Sequence, residues 1–193
     1  MDTVPPFARF EITVCGIDEL ATLRDRGVTH VLSLLDPGWP TPEAYDSFGR
    51  HRRLDLRFHD VIEPGEGWRA PEPDDVERLL AFGRELPPDA AHLLVHCHMG
   101  ISRSSAAMLL LLAQERPDRS GVEALAEVVR IRHHAWPNLR IVELGDAMLN
   151  RGGELVAAAY ARYREVVMKR PDLGQTMIRM GRAREVEGAL APR

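Results

Sequence analysis

The chain has almost no cysteine: two in 193 residues, Cys15 and Cys97. Two thiols can form one disulfide at most. A chain of this length builds a core without one, so a reducing compartment is expected. Long apolar runs are also missing. AAMLLLLA at 106–113 is far short of the ~20 residues that cross a membrane. The first residues, MDTVPPFARFEITV, carry early acids and prolines and no basic stretch ahead of an apolar core. No signal peptide is therefore expected, and the cytoplasm is the expected location. There is no excess of positive charge. A net charge of −4 gives no general reason to bind nucleic acid or an anionic membrane. Internal repeats and low-complexity segments are absent as well. What is present is an ordinary globular mixture, 45% hydrophobic and 28% charged, long enough for one sizeable core.

Along that chain, strand and helix signals alternate. FEITV (10–14), VTHVLSLL (28–35), RLDLRFHDV (53–61) and HLLVH (92–96) read as strands, the last a buried central one. IDELATLRDR (17–26) reads as a short helix stopped by Gly27, and DPGWP (36–40) as a turn. EPGEGWRAPEP (63–73) is a Gly- and Pro-rich loop, and DDVERLLAFGREL (74–86) an amphipathic helix. From 102 onward the spacing is helical: 102–115, 121–132, 138–149 and 153–167. The fold class expected is α/β, a mostly parallel sheet of four to five strands flanked by helices, with a helical C-terminal layer. One domain is expected over 8–167, followed by a charged helical extension or tail over 168–193 that carries no assigned role.

The chemistry concentrates in HLLVHCHMGISRSSAAMLLLL (92–112). A strand ending at Cys97 hands over to a helix near Ser102, with HMGIS between. First-turn amides of a helix lack internal partners and carry partial positive charge, so this is a ready anion site. A curled loop adds further N–H groups, and Gly100 lets the backbone take positive φ beside a ligand. Arg103 contributes a planar fork matched to two phosphate oxygens. The same field favours a thiolate at Cys97, which faces the phosphorus as a nucleophile. The amides and Arg103 are then fixed donors for charge that develops on the equatorial oxygens. Ser104 is a candidate partner for the sulfur, Ser102 a candidate helix cap, and Ser105 a first-turn residue. His98, Met99, Gly100, Ile101 and Ser102 line the expected binding loop. The opposing reading, a free cysteine as a small buried hydrophobe, fits a lone residue but not this spacing in a strand–loop–helix context.

VHCHMGISRSS resembles the signature loop of the cysteine-dependent protein tyrosine phosphatases, in particular the dual-specificity type. The resemblance extends over about residues 10–150. VCGIDELATLRDRGVTHVLSLLD is similar to the start of such a domain, RFHDV to the segment with its general acid, and RHHAWPN to a downstream segment packed behind the loop. The resemblance implies that Cys97 is the nucleophile, Arg103 the phosphate-binding arginine and Ser104 the hydroxyl that assists the sulfur. It implies supporting roles for His96, Asn138 and Arg132.

A leaving oxygen needs a proton and the attacking water later needs a base; one carboxyl serves both. Asp60 is the candidate. It ends a predicted strand and precedes a loop able to close over substrate. It lies further upstream of Cys97 than that family's acid usually does, the excess matching the insertion EPGEGWRAP. Glu63, Glu66, Asp74 and Asp75 are rivals, the last two also suited to charging a helix start, while Asp55 reads as a solvated strand residue. His96, Cys97 and His98, or His133 and His134, lack helical or strand spacing for a metal, so no metal and no cofactor is expected. Trp136 and Cys15 read as packing residues, and Trp68 as packing or as a pocket edge.

The expected reaction is metal-independent hydrolysis of phosphomonoesters on a phosphorylated protein, phosphotyrosine first. Small phosphomonoesters such as nucleotide, inositol or sugar phosphates are the alternative. A rhodanese-type sulfur transferase has a shorter loop, and low-molecular-weight phosphatases and arsenate reductases carry their cysteine near the N-terminus. A non-catalytic phosphoprotein-binding module would lack the nucleophile or the acid. HMGIS holds no lysine, which points away from phosphoinositides.

Overall fold

The computed structural model describes residues 7–87 and 91–192. The first six residues of the stretch read above for a leader lie outside it. Four strands, β1 (Glu11–Gly16), β2 (His30–Leu35), β3 (Arg52–Arg57) and β4 (His92–Cys97), form one parallel sheet in the order β1-β4-β2-β3. β4 is therefore central, and all six of its residues are buried. A strand sandwiched on both faces reads as a continuous apolar run, which is why HLLVH shows no alternation.

The two faces are unequal. Leu93, Val95 and Cys97 join the main core, beneath helices α1 (Pro73–Arg84), α2 (Arg103–Glu115), α3 (Gly121–Ile131), α4 (Leu139–Met148) and α5 (Glu154–Lys169). Leu94 joins a smaller cluster with Cys15, Leu20, Val31, Tyr45 and Phe48. Two 3-10 segments, Ile17–Leu23 and Glu43–Ser47, supply the cover there. So 17–26, expected as a helix, is a shorter 3-10 turn, and Gly27 follows at φ 65. α2 is buried from Arg103 through Ala113, as a helix apolar around its whole circumference must be. It is the post about which the sheet and the other helices pack.

β3 stops at Arg57 rather than at 61. Its only sheet neighbour among the described residues, β2, ends at Leu35, and Phe58 N–H makes the last bond to Leu35 C=O at 3.1 Å. His59 N–H then turns to Arg69 C=O at 2.8 Å. Asp60 thus lies in the loop after the strand, not at its end.

The segment after α5 is helical: α6 (Pro171–Arg179) and α7 (Ala183–Leu190). Met177, Val186 and Ala189 are buried against the rest of the core, and so are Arg182 and Glu185. No helix among the described residues is long and apolar enough to cross a membrane.

Candidate active site

Parallel strands place all their carboxyl ends on one edge of the sheet, where crevices form between diverging connections. Gly16 ends β1 and pairs in register with Cys97, which ends β4. Asp36 follows β2, and Asp60 comes three residues after β3. All the groups that matter meet along that edge.

The loop 98–102 is held from outside, one carbonyl after another. His98 C=O accepts from Ile17 N–H at 2.9 Å, Ile101 C=O from Trp136 N–H at 3.0 Å, and Ser102 C=O from Asn138 N–H at 3.2 Å. Arg132 takes the other two, donating to Met99 C=O at 3.0 Å and Gly100 C=O at 3.1 Å. Arg132 is itself held by Glu19 at 2.6 and 2.9 Å, and Glu19 also accepts from Gly16 N–H at 2.9 Å. In a planar trans peptide the N–H points opposite to the C=O. Carbonyls turned outward therefore leave the following amides facing into the loop. Gly100 makes the curl possible. Its φ is 68, and a Cβ there would sit 2.4 Å from the carbonyl carbon of Cys15.

Cys97, 2% exposed, accepts from Gly100 N–H at 3.2 Å, and Ser104 Oγ lies 3.2 Å from its sulfur. Both donors stabilise negative charge on sulfur. Arg103, 3% exposed, spends Nη1 on Asp36 Oδ1 at 2.6 Å and on Phe58 C=O at 2.7 Å. Its Nε is buried and has no hydrogen-bond partner among the described residues. A buried donor left in that state costs about 1–3 kcal/mol. The guanidinium is thus anchored on one side with a donor to spare on the other.

Asp60 Oδ1 accepts from Ser102 Oγ at 2.7 Å and from Asn138 Nδ2 at 2.9 Å, and Arg182 Nη1 stands 3.5 Å away. Burial acts to raise its pKa, but Arg182, Arg103 and the two hydrogen bonds outweigh that and hold the carboxyl below its ordinary range. A cavity of about 530 Å³ opens over Asp36, Asp60 and Arg103, walled by Trp68, Met180 and Gly181. A larger groove, about 700 Å³, runs between Phe7, Phe10 and α3, and no residue of the loop lines it.

The other sequence candidates fall as follows. Ser102 stands at the start of α2 but caps nothing; its hydroxyl goes to Asp60. Asn138 caps α4 through Ile141 N–H at 3.1 Å while its amide holds Asp60. Ser105 bonds the carbonyls of Ile101 and Ser102. His96 reaches away from the sulfur to the Tyr45 hydroxyl, and burial pulls its pKa down to about 4. His98 faces Asp36 at 3.5 Å and packs edge-on against Trp39. Met99, 66% exposed, lies with His98 and Ile101 along a second cavity beside Arg132. Trp68 is exposed and packs edge-on against His59. Trp136 is buried and stacks on Tyr163. Cys15 is buried, its thiol pushed up to about 12 by desolvation. Of the rival acids, Glu63 pairs with Arg184 and Asp75 with Arg69, while Asp55, expected as a solvated strand residue, pairs with Arg53 and Arg57. Glu66 and Asp74 are exposed. Among the described residues no group of three or more His, Cys, Asp or Glu could hold a metal ion.

Four residues of the site carry little or no readable sequence signal. Asp36 reads as a turn residue of DPGWP, Glu19 as a helix-start acid, and Arg182 and Glu185 as members of a charged segment. Only the RAREVE spacing hints at the last pair, because residues three apart on a helix can meet.

No family model matches the chain. A 93-residue stretch is 34% identical to dual specificity protein phosphatase 26 of Bos taurus, covering 47% of this chain and 40% of that one. The match thus spans less than half of that relative. Among solved structures, Tk-PTP in its active form is 24% identical with a TM-score of 0.52, over 77% of this chain and 99% of that one. Human DUSP28 is 18% identical with a TM-score of 0.55, over 72% of this chain and 94% of that one. The fold is that of the protein tyrosine and dual-specificity phosphatases, and the chain resembles that superfamily in sequence.

Proposed function

We propose that the chain is a phosphomonoester hydrolase acting through a phosphocysteine, with phosphotyrosine and other phosphorylated side chains of proteins as substrates. The observation that carries this reading is the surroundings of Cys97. Its sulfur meets Gly100 N–H and Ser104 Oγ, each at 3.2 Å, inside a loop whose carbonyls are all turned outward. Inward amides and the unpartnered Nε of Arg103 match the oxygens of a phosphoryl group. The phosphatase relatives and the shared fold support the same class.

The Cys97 thiolate attacks phosphorus, the S–P bond forms, and the P–O bond to the leaving group breaks. Asp60 gives that oxygen its proton. Water then attacks the phosphocysteine, Asp60 takes a proton from it, and the thiolate departs toward the Ser104 hydroxyl while phosphate is released. Loop amides and Arg103 stay bound to the equatorial oxygens throughout. Trp68 and Met180 give the cavity an apolar wall suited to an aromatic leaving group.

The deciding experiment is hydrolysis of an aryl phosphate with EDTA present. Cys97→Ser should abolish turnover, and Asp60→Asn should slow it by about 10²–10⁴ with a poor leaving group. Undiminished turnover in Cys97→Ser, or a requirement for added metal, would overturn the reading. A small-molecule substrate in place of a phosphoprotein would show as a kcat/KM favouring nucleotide or sugar phosphates over phosphopeptides.

A further inference from the structure

Arg182 lies in the turn between α6 and α7, in the segment with no role assigned from sequence. Its side chain is 3% exposed, a depth at which arginine is rarely found unless paired. Nε and Nη2 form a fork on Glu185 at 2.8 and 2.6 Å. Glu185 is fully buried, and it also accepts from Trp136 Nε1 at 2.6 Å and from Leu139 N–H at 3.1 Å. An arginine present only to satisfy Glu185 would need nothing more. Arg182 has a third contact: Nη1 donates to Ser102 Oγ at 2.8 Å and stands 3.5 Å from Asp60 Oδ1.

That contact has a fixed direction. A guanidinium only donates, so Ser102 Oγ must accept from it. The one hydroxyl proton of Ser102 is then left to donate to Asp60 Oδ1 at 2.7 Å. Asn138 Nδ2 donates to the same oxygen at 2.9 Å. An oxygen receiving two such bonds is an acceptor and a poor place for a proton. We infer that Arg182 is a positioning residue: through Ser102 it fixes Asp60 Oδ1 as an acceptor, so that the proton Asp60 exchanges with leaving group and water is carried on Oδ2. The C-terminal helices are thereby part of the active site. This rests on the phosphatase reading above.

The charged and titratable groups facing Asp60 are Arg182, Arg103 from α2 and His98 from the loop, with Asp36, His59 and Glu63 across the cavity. Of these, Arg182 and Arg103 do most to keep the carboxyl ionised, and Arg103 has the phosphate-binding task in the proposed reaction. Loss of Arg182 should therefore raise the acid's pKa as well as free its orientation.

The test uses the full chain and two phosphate esters, phenyl phosphate and 2,4-dinitrophenyl phosphate. The first leaving group needs a proton and the second does not. Arg182→Met with Glu185→Gln removes both buried charges while leaving Trp136 and Leu139 an acceptor. Ser102→Ala breaks the relay without touching the ion pair. Each should lower kcat on phenyl phosphate by about tenfold or more, with little change on the dinitrophenyl ester and in KM. In the double variant the pH limit belonging to the acid should move upward. Arg182→Lys, which keeps a donor toward Ser102, should restore part of the loss. Equal losses on both esters, or unchanged kcat on phenyl phosphate, would overturn the role of Arg182. If the double variant does not fold, the single Arg182→Lys variant decides the matter: a partial loss confined to phenyl phosphate supports the role, and equal losses on both esters or no loss overturn it. Wild type inactive on both esters would refute the phosphatase reading, and this inference with it; wild type active through Cys97 leaves the two separable.

Discussion

Arg103 makes clear how much of the chemistry is settled one side chain at a time. Its Nη1 is already committed to Asp36 and Phe58, which leaves Nε and the remaining edge of the fork for the phosphate of the proposed reaction. A lysine offers one nitrogen for both tasks and cannot perform them together. Arg103→Lys is expected to weaken inorganic phosphate binding and lower kcat/KM on an aryl phosphate by about 10²-fold or more, measured by inhibition and steady-state kinetics. A second outcome follows from Asp60. Its carboxyl is held below the ordinary range, so near neutral pH the free protein holds mostly the carboxylate. The first step of the proposed mechanism needs the acid form. With a poor leaving group, kcat/KM should therefore fall as pH rises from the acidic side toward neutrality, and Asp60→Asn should flatten that limb. A third concerns Gly100, whose φ of 68 and contact with the Cys15 backbone leave no room for a side chain. Gly100→Ala should cost about 1–2 kcal/mol in urea denaturation for the left-handed backbone alone, and should reduce phosphate affinity as the loop shifts.

At the scale of elements, the loop between β4 and α2 is shaped less by its own residues than by its neighbours. Ile17, Arg132, Trp136 and Asn138 hold its carbonyls, and three of those four belong to the connection from α3 to α4. Glu19 joins the two sides by holding Arg132 and Gly16 together. Glu19→Ala should therefore lower phosphate affinity several-fold while costing only about 1 kcal/mol of stability, because the carboxylate is half exposed. Comparing phosphate titration with the melting temperature separates the two. This division also explains what could be read from sequence. β4, the loop and α2 were legible because local signals agree there: an apolar strand, a glycine that must curl, and a long apolar helix. The order of elements was legible for the same reason. The end of β3 was not, because it is set by where β2 stops, which is a property of the neighbour. Asp36, Glu19, Arg182 and Glu185 were not legible because the contacts that tie each to the site, with Arg103, Arg132, Ser102 and Trp136 respectively, span long stretches of sequence. An acid in a turn and an arginine in a charged run look the same whether they face water or a buried partner. Ser102 reads as a cap because helix starts favour serine, but the nearby Asp60 carboxylate is the stronger acceptor.

For the molecule as a whole, the unequal faces of the sheet matter most at His96. It sits in the central strand with its side chain on the thinner face, bonded to the Tyr45 hydroxyl under the 3-10 cover. The ring is fully buried, and desolvation lowers its pKa from 6.5 to about 4. The folded state therefore prefers the neutral ring more strongly than the unfolded chain does. Between those two values the unfolded chain binds the extra proton and the folded one does not, so stability is full above pH 6.5 and is lost as pH falls toward 4. Taken to completion, that difference amounts to about 3 kcal/mol. Asp60 contributes in the same direction at still lower pH, since its folded carboxyl also resists protonation. Glu185 opposes both, because its burial favours the protonated form as pH drops. Urea denaturation near neutral pH and again at about pH 4.5 should show the wild type losing roughly 2–3 kcal/mol. His96→Gln, which keeps a polar group near Tyr45 but cannot titrate, should be less stable at neutral pH yet lose much less between the two conditions. An equal loss in both proteins would assign the acid sensitivity to other groups, the carboxylates or the partly buried His30 and His98 whose pKa values desolvation also lowers, and would mean that His96 is not held neutral by the fold.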